Sequence, residues 1–402
     1  MNIIFLTLFR ISDIEEHGIY QDLMRKFRDE GHHVYIVCPV ERRLGLKTSM
    51  IEANSVRILN AKTLNIQKTN IIEKGLGTLL IEKQYIKAIK KYLSGISFDL
   101  ITYSTPPITF TNVVRYLKRK NPQAISYLQL KDIFPQNAVD MGMFGKNSPF
   151  NLFFRKKEKA LYKTSDFIGC MSPANVKFLL VHNPEINASR VEVAPNSVEL
   201  KRSEIVDDNS EKNSIREKYG IPTDIPVFIY GGNLGKPQGI DYLVKCLDAN
   251  KQRTDCYFVV VGSGTDYKLI SDWYEQNKDA NVKLMSFLPK EDYDTLVRSC
   301  DVGLIFLDHR FTIPNYPSRL LSYLENKMPV LCATDDNTDI GKIAEENGYG
   351  YWCESVKPED FTALVDKMLA SDRKAMGEKG YQILKENYLV EHTYNAIMRH
   401  FN

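Results

Sequence analysis

In the first half of the chain, short β-branched runs alternate with amphipathic stretches, which is typical of a parallel sheet with helical crossovers. This pattern predicts a first helix over 18–30 that ends before Gly31, a residue suited to the left-handed conformation after a helix. It predicts strands at 3–8, 34–38, 55–59, 100–103, 124–128, 167–170 and 191–193. We therefore expect this half to form one βαβ domain.

The second half repeats the alternation after a polar stretch. Residues 201–218 are rich in Glu, Asp, Asn and Ser, and alternation resumes at Pro226, so we predict the join of two domains in this stretch. Further strands are predicted at 227–230, 257–262, 282–286, 302–306, 330–333 and 349–351. The tail over 375–401 is helical in pattern. The chain is thus predicted to be an α/β protein with two βαβ domains.

Composition excludes several classes of protein. With 402 residues, 43% hydrophobic and 26% charged, the chain is neither collagen-like nor disordered and has room for two or three domains. The seven cysteines are dispersed without a C-x-x-C pair, which indicates a reducing compartment. The first residues lack a basic leader, and no apolar run approaches the roughly 20 residues of a spanning helix. We therefore expect a cytoplasmic protein.

The net charge of +3 hides an asymmetry between the halves. Residues 1–200 hold 28 Lys+Arg against 18 Asp+Glu, or +10, whereas residues 201–402 hold 25 against 32, or −7. Basic residues concentrate at 115–120, at 155–163 and at 81–93, where apolar and basic faces separate at helical spacing. This predicts peripheral contact with an anionic membrane, and a solvated face beside an ordinary core stripe is the alternative. Nucleic acid is disfavoured because the patches lack interleaved aromatic residues.

The strongest local motif is GGNLGKPQG at 231–239, between the strand VFIY and the helical segment DYLVKCL. Glycines let backbone N–H groups approach an anion, the following helix adds its positive end, and Lys236 adds a cation. The motif therefore fits a diphosphate, although it is neither a dinucleotide fingerprint nor a Walker loop. A second glycine turn, VVVGSGTDY, contains Gly262 and also ends a strand. Ordinary turns without a ligand are the alternative for both.

A third motif is NYPSRLLSYLENKMPVL at 315–331, where Pro317 and Ser318 begin a helix with Arg319 in its first turn. The helix dipole disfavours a cation there, so Arg319 is explained more easily if an anion shares the site. A neighbouring acid that pairs with Arg319 is the alternative.

Two features of the first half are also candidates. Gly18 follows a strand and begins a helix, which repeats the geometry that favours anions. Asp132 comes directly after a strand, where its carboxylate can contact a sugar hydroxyl or accept a proton, and an Asx-type cap is the alternative. The one D-x-D motif, Asp292 to Asp294, is interpreted as an ordinary first helical turn, and no metal site is predicted.

These motifs occur in the order of a known family. The leading strand with Gly-Ile-Tyr, then GHHVYIVCP, YSTPP, DIFPQNAV, APNSVE, GGNLGKPQG, VVVGSGTDY and YPSRLLSYLENKMPVL resemble family 4 glycosyltransferases over essentially the whole chain. The likeness is to bacterial members that build capsule, exopolysaccharide or O-antigen. It implies the GT-B architecture, two Rossmann-like domains facing a central cleft: an acceptor-binding domain 1–200, a nucleotide-sugar-binding domain 201–385 and a terminal helix 386–402 packing back on the first domain.

The resemblance also implies an activity. Such enzymes transfer a sugar, here a hexosyl or N-acetylhexosaminyl group, from a nucleotide diphosphate sugar to a hydroxyl with retention of configuration. They generally need no metal and no other cofactor. The implied acceptor is a glycan linked to a polyprenyl lipid, which would place the protein in the cytoplasm, peripherally on the inner face of the plasma membrane.

Carried over by position, the resemblance assigns roles to residues. Lys236 and Arg319 would neutralise the departing diphosphate, Gly18 would approach the phosphates, and Asp132 would lie near the donor sugar or acceptor. The family's His before that Asp is Lys131 here. The donor would contact residues of the three motifs of the second half: Gly232, Asn233, Gly235, Gln238, Gly239, Gly262, Pro317, Ser318, Ser322 and Glu325.

The chain also departs from the family pattern. The family often has a basic pair where Asn233 and Gln238 stand here, and many members carry two Glu where this chain has Pro314 and Ser322. Ser322 can hydrogen-bond a ribose hydroxyl, and Glu325, one turn later, is a substitute. Two alternatives to a transferase therefore stay open. One is a partner subunit that binds nucleotide sugar without turnover, and the other is a sugar-nucleotide 2-epimerase, for which no acid and base pair is found.

Overall fold

The computed structural model describes residues 1–66, 69, 71–200 and 209–401. The chain divides into two compact units, Met1–Glu199 with Leu389–Asn402, and Leu200–Tyr388. Each is a mainly or wholly parallel sheet covered by helices. No helix of the described residues is long and apolar enough to cross a membrane.

The first unit is built on an eight-stranded sheet in the order β3-β4-β2-β1-β5-β6-β7-β8. Its strands are β1 (Asn2–Leu6), β2 (His33–Glu41), β3 (Ser49–Ala53), β4 (Val56–Thr63), β5 (Leu100–Ser104), β6 (Ile125–Leu130), β7 (Phe167–Cys170) and β8 (Val191–Val193). All neighbouring strands are parallel except β3, which pairs antiparallel with β4. The seven predicted strands are all present.

Strand β3 was not predicted. It is an edge strand whose side chains are largely exposed, so it lacks the apolar run that marks a buried strand. A two-residue turn at Asn54 and Ser55, both with positive φ, joins it to β4. This turn conformation matches the twist of a hairpin but is more often encoded by Asn-Gly.

Helices cover this sheet. They are α1 (Ile19–Asp29), α2 (Ile71–Tyr92), α3 (Thr111–Lys120), α4 (Gln136–Asp140), α5 (Pro149–Thr164) and α6 (Pro173–His182). The core between them and the sheet contains Phe5, Phe27 and Tyr127, all fully buried. The amphipathic segment 81–93 lies largely in α2, and its apolar residues Ile81, Tyr85 and Ile89 are buried. They form an ordinary core stripe, and membrane contact of the basic face of this segment stays a prediction.

The second unit has six parallel strands in the order β11-β10-β9-β12-β13-β14. They are β9 (Val227–Asn233), β10 (Tyr257–Ser263), β11 (Val282–Met285), β12 (Val302–Phe306), β13 (Val330–Thr334) and β14 (Gly350–Glu354). Counted from β9, this is the Rossmann order 3-2-1-4-5-6, and the strand order reverses between β9 and β12. In the first unit the corresponding reversal lies between β1 and β5. Ligands of such sheets bind at the carboxyl ends of the strands beside the reversal.

The helices of the second unit are α7 (Asn209–Lys218), α8 (Ile240–Asn250), α9 (Tyr267–Gln276), α10 (Lys290–Ser299), α11 (Arg319–Glu325), α12 (Ile340–Glu346), α13 (Pro358–Leu369) and α14 (Arg373–Asn387). Helix α7 falls within the stretch predicted as a domain join. Residues 201–208 of that stretch lie outside the described residues. The rest is helical because buried Ile215 and Arg216 fix it to the unit, with Arg216 Nη2 2.7 Å from Asp301 Oδ2.

The helical tail is two helices rather than one. After α14 the chain pairs Leu389 with Val198 in a short β-bridge, and α15 (Val390–Met398) then packs in the first unit. The Tyr394 ring lies 5.0 Å from that of Phe27 on α1, and its hydroxyl lies 3.0 Å from His32 Nε2. The last helix thus belongs to the first unit.

Candidate functional site

The two glycine turns of the second unit pack against each other. Strands β9 and β10 pair Gly232 with Gly262, and the Leu234 N–H donates to Ser263 O at 3.0 Å. A Cβ on Gly262 would lie 1.9 Å from Gly232 O, and one on Gly264 would lie 2.2 Å from Leu234 O. Glycine is therefore required at both positions. We call residues 231–239 and 262–264 the paired glycine turns.

Arg319 lies against these turns. A Cβ on Gly232, whose φ is +137°, would lie 3.0 Å from Arg319 Nη2, and the guanidinium stacks 4.3 Å from the ring centre of Tyr230. Arg319 Nη1 is buried and has no hydrogen-bond partner among the described residues. The neighbouring acid proposed as an alternative is thus not found at this atom. Because an unpaired buried cation is costly, this guanidinium is suited to receive an anion.

Three tyrosines lie around this guanidinium, and Tyr230 stacks on it. The Tyr230 hydroxyl donates to Asn233 O at 2.7 Å, and that of Tyr323 donates to Ile229 O at 3.1 Å. A Cβ on Gly231 would lie 1.9 Å from the Tyr293 hydroxyl. Sequence reasoning missed these tyrosines because they lie on three separate elements. The glycine pair 231–232, which leaves room for a ring and a guanidinium, was the only local signal.

The remaining residues of the first turn form its outer part. Asn233 Nδ2 donates to Gln238 Oε1 at 2.7 Å, so these two amides form a pair where the resembling family often has cations. Lys236 is exposed on the short 3₁₀ turn Lys236–Gln238. Gly239 has a φ of +58°, and a Cβ there would lie 3.2 Å from the Cα of Asp308, which follows β12. The turn thus spans the reversal between β9 and β12.

The segment before α11 is anchored to the end of β13. The Asn315 N–H donates to Thr338 Oγ1 at 3.0 Å, and that hydroxyl donates to Asp335 Oδ2 at 2.8 Å. Asp335 is fully buried, and burial raises its pKa to about 6. The hydroxyls of Tyr316 and Tyr388 form a hydrogen bond with each other in the same region. These contacts fix the start of α11 and hence the position of Arg319.

Helix α11 begins as predicted. Ser318 is its N-cap residue, without a side-chain capping bond, and Pro317 precedes it. Ser322 and Glu325 are half-buried on the same helix, and Ser322 O accepts from Asn326 Nδ2 at 2.7 Å. Their contacts with a donor stay predictions.

In the first unit, Gly18 lies at the start of α1, where a buried carboxylate holds the loop. The Gly18 N–H donates to Asp22 Oδ1 at 2.9 Å, and the same oxygen accepts from Arg25 Nη2 at 2.6 Å. Asp22 Oδ2 accepts the Glu199 N–H at 3.0 Å and lies 3.0 Å from His17 Nδ1. Asp22, which sequence reasoning missed, therefore fixes the Gly18 backbone.

Asp132 lies directly after β6 with Lys131. Both backbone N–H groups donate to Thr105 Oγ1, at 2.9 Å for Lys131 and 3.0 Å for Asp132. Asp132 Oδ1 accepts from Asn137 Nδ2 at 2.8 Å, and the N–H of the next residue, Ile133, donates to the same carboxylate. Burial raises the pKa of Asp132 to about 6 and lowers the pKa of Lys131 to about 7. Both groups therefore titrate near neutral pH.

Tyr20 is a further member of this site. It lies in the first turn of α1, and burial raises the pKa of its hydroxyl, which lies near the Ser104 side chain at the end of β5 and senses the charge of Asp132. Three elements beside the reversal between β1 and β5 thus bring Tyr20, Ser104 and Asp132 together.

The D-x-D motif has a structural role at its first residue. Asp292 Oδ2 accepts from Lys218 Nζ at 2.7 Å and from the Tyr219 hydroxyl, which joins α10 to the end of α7. In the part of the chain that the structure describes, no group of three or more His, Cys, Asp and Glu could hold a metal ion.

Residues 211–383, which include the paired glycine turns and Arg319, match the family model described as glycosyl transferases group 1. The match covers less than half of the chain. The predicted family is thereby confirmed.

Two curated relatives are similar to the chain. The probable glycosyltransferase WbjE of Pseudomonas aeruginosa is 22% identical over 261 residues, 65% of this chain and 64% of that protein. The putative colanic acid biosynthesis glycosyl transferase WcaI of Escherichia coli (strain K12) is 24% identical over 183 residues, 45% of this chain and 43% of that protein. The match therefore spans less than two thirds of either relative's own length.

Solved structures are similar over nearly the whole chain. Sucrose-phosphate synthase from Thermosynechococcus elongatus superposes with a TM-score of 0.74 at 15% identity, covering 99% of this chain and 98% of that one. Anabaena HepE in complex with UDP and glucose gives 0.71 at 14%, covering 100% and 99%. WaaG, involved in lipopolysaccharide biosynthesis, gives 0.66 at 14%, covering 99% of each. The predicted fold class, two Rossmann-like α/β domains of the GT-B type, is confirmed.

Proposed function

We propose that the protein is a retaining glycosyltransferase that moves a sugar from a nucleotide diphosphate sugar to a hydroxyl of a glycan acceptor. The observation that carries this proposal is the buried, unpaired Arg319 Nη1 beside the paired glycine turns. A desolvated guanidinium beside a glycine backbone that a ligand can approach closely matches a diphosphate in charge and in hydrogen-bond geometry. The group 1 family match over the same residues supports it.

The donor diphosphate would lie between Arg319 and the paired glycine turns. Lys236, exposed on the outer part of the first turn, would add a second cation, and the amides of Asn233 and Gln238 would supply neutral donors. Helix α8, which begins after Gly239, adds unpaired N–H groups at its start. HepE, with the same fold, is known in complex with UDP-glucose.

The chemistry follows from where charge develops. The bond between the sugar C1 and the diphosphate oxygen breaks, and the acceptor oxygen forms its bond to C1 on the same face. A phosphate oxygen of the leaving group takes the acceptor proton, so no protein nucleophile is used and the configuration is retained. The fixed cations stabilise the negative charge that grows on the diphosphate. Asp132 would hydrogen-bond a sugar or acceptor hydroxyl, with Tyr20 beside it.

The biological setting is proposed from the relatives. WcaI is named for colanic acid biosynthesis and WaaG for lipopolysaccharide biosynthesis. We therefore place this protein in bacterial surface-polysaccharide synthesis, with a hexosyl or N-acetylhexosaminyl donor and a polyprenyl-linked acceptor on the inner face of the plasma membrane.

Donor binding tests this proposal. Thermal shift and calorimetry would compare the wild type with Arg319→Ala against UDP-, GDP-, dTDP- and CMP-sugars, with Lys268→Ala as a matched surface control on α9. We expect one nucleotide sugar to stabilise the wild type and the control but not Arg319→Ala. Failure of every nucleotide sugar to bind would overturn the proposal.

The departures at Pro314 and Ser322 favour one second candidate, a partner subunit that binds nucleotide sugar without turnover. Transfer from a radiolabelled donor to a crude lipid fraction separates the two. Turnover that disappears in Arg319→Ala supports the transferase, whereas tight donor binding with no transfer supports the partner subunit.

A further inference from the structure

The amino end of α5 exposes a group of large apolar side chains. Phe150, Leu152 and Phe153 are 68%, 62% and 42% exposed, and Met143 in the preceding loop is 65% exposed. Water-exposed aromatic and aliphatic side chains this dense are unusual on a protein surface and mark a contact with something apolar. We call these four residues the α5 tip.

The α5 tip is held in place by the fold. Phe144 and Phe154 both pack on the Phe134 ring, at centroid distances of 6.3 and 5.0 Å, which joins the loop to the helix. Ser148 caps the helix by accepting the Asn151 N–H at 3.1 Å. The exposed side chains therefore project from a defined scaffold.

Lysines follow the tip along the same helix. Lys156, Lys159 and Lys163 are exposed, and Lys157 Nζ lies 5.8 Å from the ring centre of Phe153. The carboxylate of α5, Glu158, is buried and paired with Arg155, so it does not neutralise them. Lys159 Nζ pairs with Glu185 Oε1 at 3.0 Å, which leaves Lys156 and Lys163 as the exposed cations without an acidic partner among the described residues. The exposed surface of α5 thus begins apolar and continues cationic.

We propose that the α5 tip inserts into the interface of an anionic phospholipid bilayer, with the α5 lysines on the lipid phosphates. Apolar side chains bind the boundary of headgroups and acyl chains, and lysines bind the anionic surface, so the order along α5 matches a membrane. The first 200 residues carry a charge of +10, which complements the same surface. This proposal goes beyond sugar transfer and does not rest on it.

Two exposed lysines of the second unit provide a control. Lys245 on α8 and Lys374 on α14 are exposed like the α5 lysines. Neither helix has an exposed large apolar side chain among its described residues.

Flotation of the full-length protein with vesicles tests the proposal. We expect binding to phosphatidylcholine vesicles that contain phosphatidylglycerol and much weaker binding to phosphatidylcholine alone. Phe150→Ser/Leu152→Ser/Phe153→Ser should lower the partition coefficient by at least about tenfold. Lys156→Gln/Lys163→Gln should lower it by about tenfold and reduce its salt dependence. Phe287→Ser, at another exposed aromatic residue, and Lys245→Gln/Lys374→Gln should leave binding unchanged.

Three results would overturn the proposal: no flotation of the wild type, equal flotation of the triple serine variant, or an equal loss in the controls. A concentration-dependent dimer that the serine substitutions abolish, without vesicle binding, would assign the tip to contact between copies. Circular dichroism verifies that each variant is folded. Donor binding should persist in the serine variant, and flotation should persist in Arg319→Ala, so this proposal and the proposed function fail separately.

Discussion

The two sheets have a similar strand order around the reversal, but the residues at the carboxyl ends of their strands differ in chemistry. In the second unit the edge is formed by backbone, since Gly231, Gly232 and Gly262 bring the main chain close to a single fixed cation, Arg319. In the first unit side chains form it, with Asp132 and Lys131 half-buried and their pKa values shifted towards neutral pH. The first arrangement suits a constant anion, and the second suits hydroxyls whose recognition depends on protonation. The same topology thus places a site without specifying its chemistry.

Loss of the fixed cation, Arg319, should lower turnover more than any other substitution considered. We expect Arg319→Ala to lower kcat/KM by at least about 100-fold, because one preorganised group that stabilises developing charge contributes that much. Arg319→Lys should recover little, since an ammonium lacks the planar stack on Tyr230. Lys236→Ala should also lower turnover by at least about tenfold. Steady-state kinetics with the donor found by binding would measure this, and unchanged rates in both Ala variants would contradict the assignment.

Alanine substitutions of glycine should destabilise the protein to different extents at the two edges, because the backbone is packed more closely at the edge of the second unit. A Cβ at Gly262 meets the Gly232 carbonyl, so we expect Gly262→Ala to destabilise the protein by about 2 kcal/mol or more. Gly18 has an extended φ of 172°, and a Cβ there meets only the end of the Gln21 side chain. Gly18→Ala should therefore cost less than about 0.5 kcal/mol. Urea unfolding would compare them, and equal losses would contradict this difference.

The first unit should be the one that responds to pH. Burial raises the pKa of Asp132 to about 6, so its ionisation costs stability as pH rises from about 4 to about 6. Asp132→Asn should therefore be more stable than the wild type by about 2 kcal/mol above pH 6.5, with the gain shrinking towards pH 4. Melting temperatures across this range would show it. A gain independent of pH would mean that the buried charge of the carboxylate is not its cause.

Lys131 should give the opposite trend with pH. Burial lowers its pKa to about 7, so charging it costs stability as pH falls from about 10 to about 7. Lys131→Met should gain about 2 kcal/mol or more over the wild type at pH 6 and less at pH 10. The same melting series measures it, with Lys268→Met as the surface control, and an equal gain in both variants would count against burial as the cause.

Several parts of the fold followed from local pattern. The six strands predicted for the second unit are all present, because each is a short apolar run bounded by polar turns. The exposed edge strand β3 was missed because it lacks such a run. Helix α7 was missed because its polar surface resembles a linker, and only the burial of Ile215 and Arg216 fixes it.

The candidate site divides in the same way. The turn at 231–239 and the start of α11 were recognisable in the sequence, since glycine, proline and a helix start act through neighbouring residues. Three other features were not recognisable in the sequence. They are the stack of Arg319 on Tyr230, the hydrogen bond from Gly18 to Asp22 within its loop, and the desolvation of Asp132 and Lys131. Local conformation depends on residues adjacent in the chain, so the sequence alone is sufficient for it. Which charge is paired, and which pKa is shifted, depends on packing between distant segments, and that is known once the fold has brought them into contact.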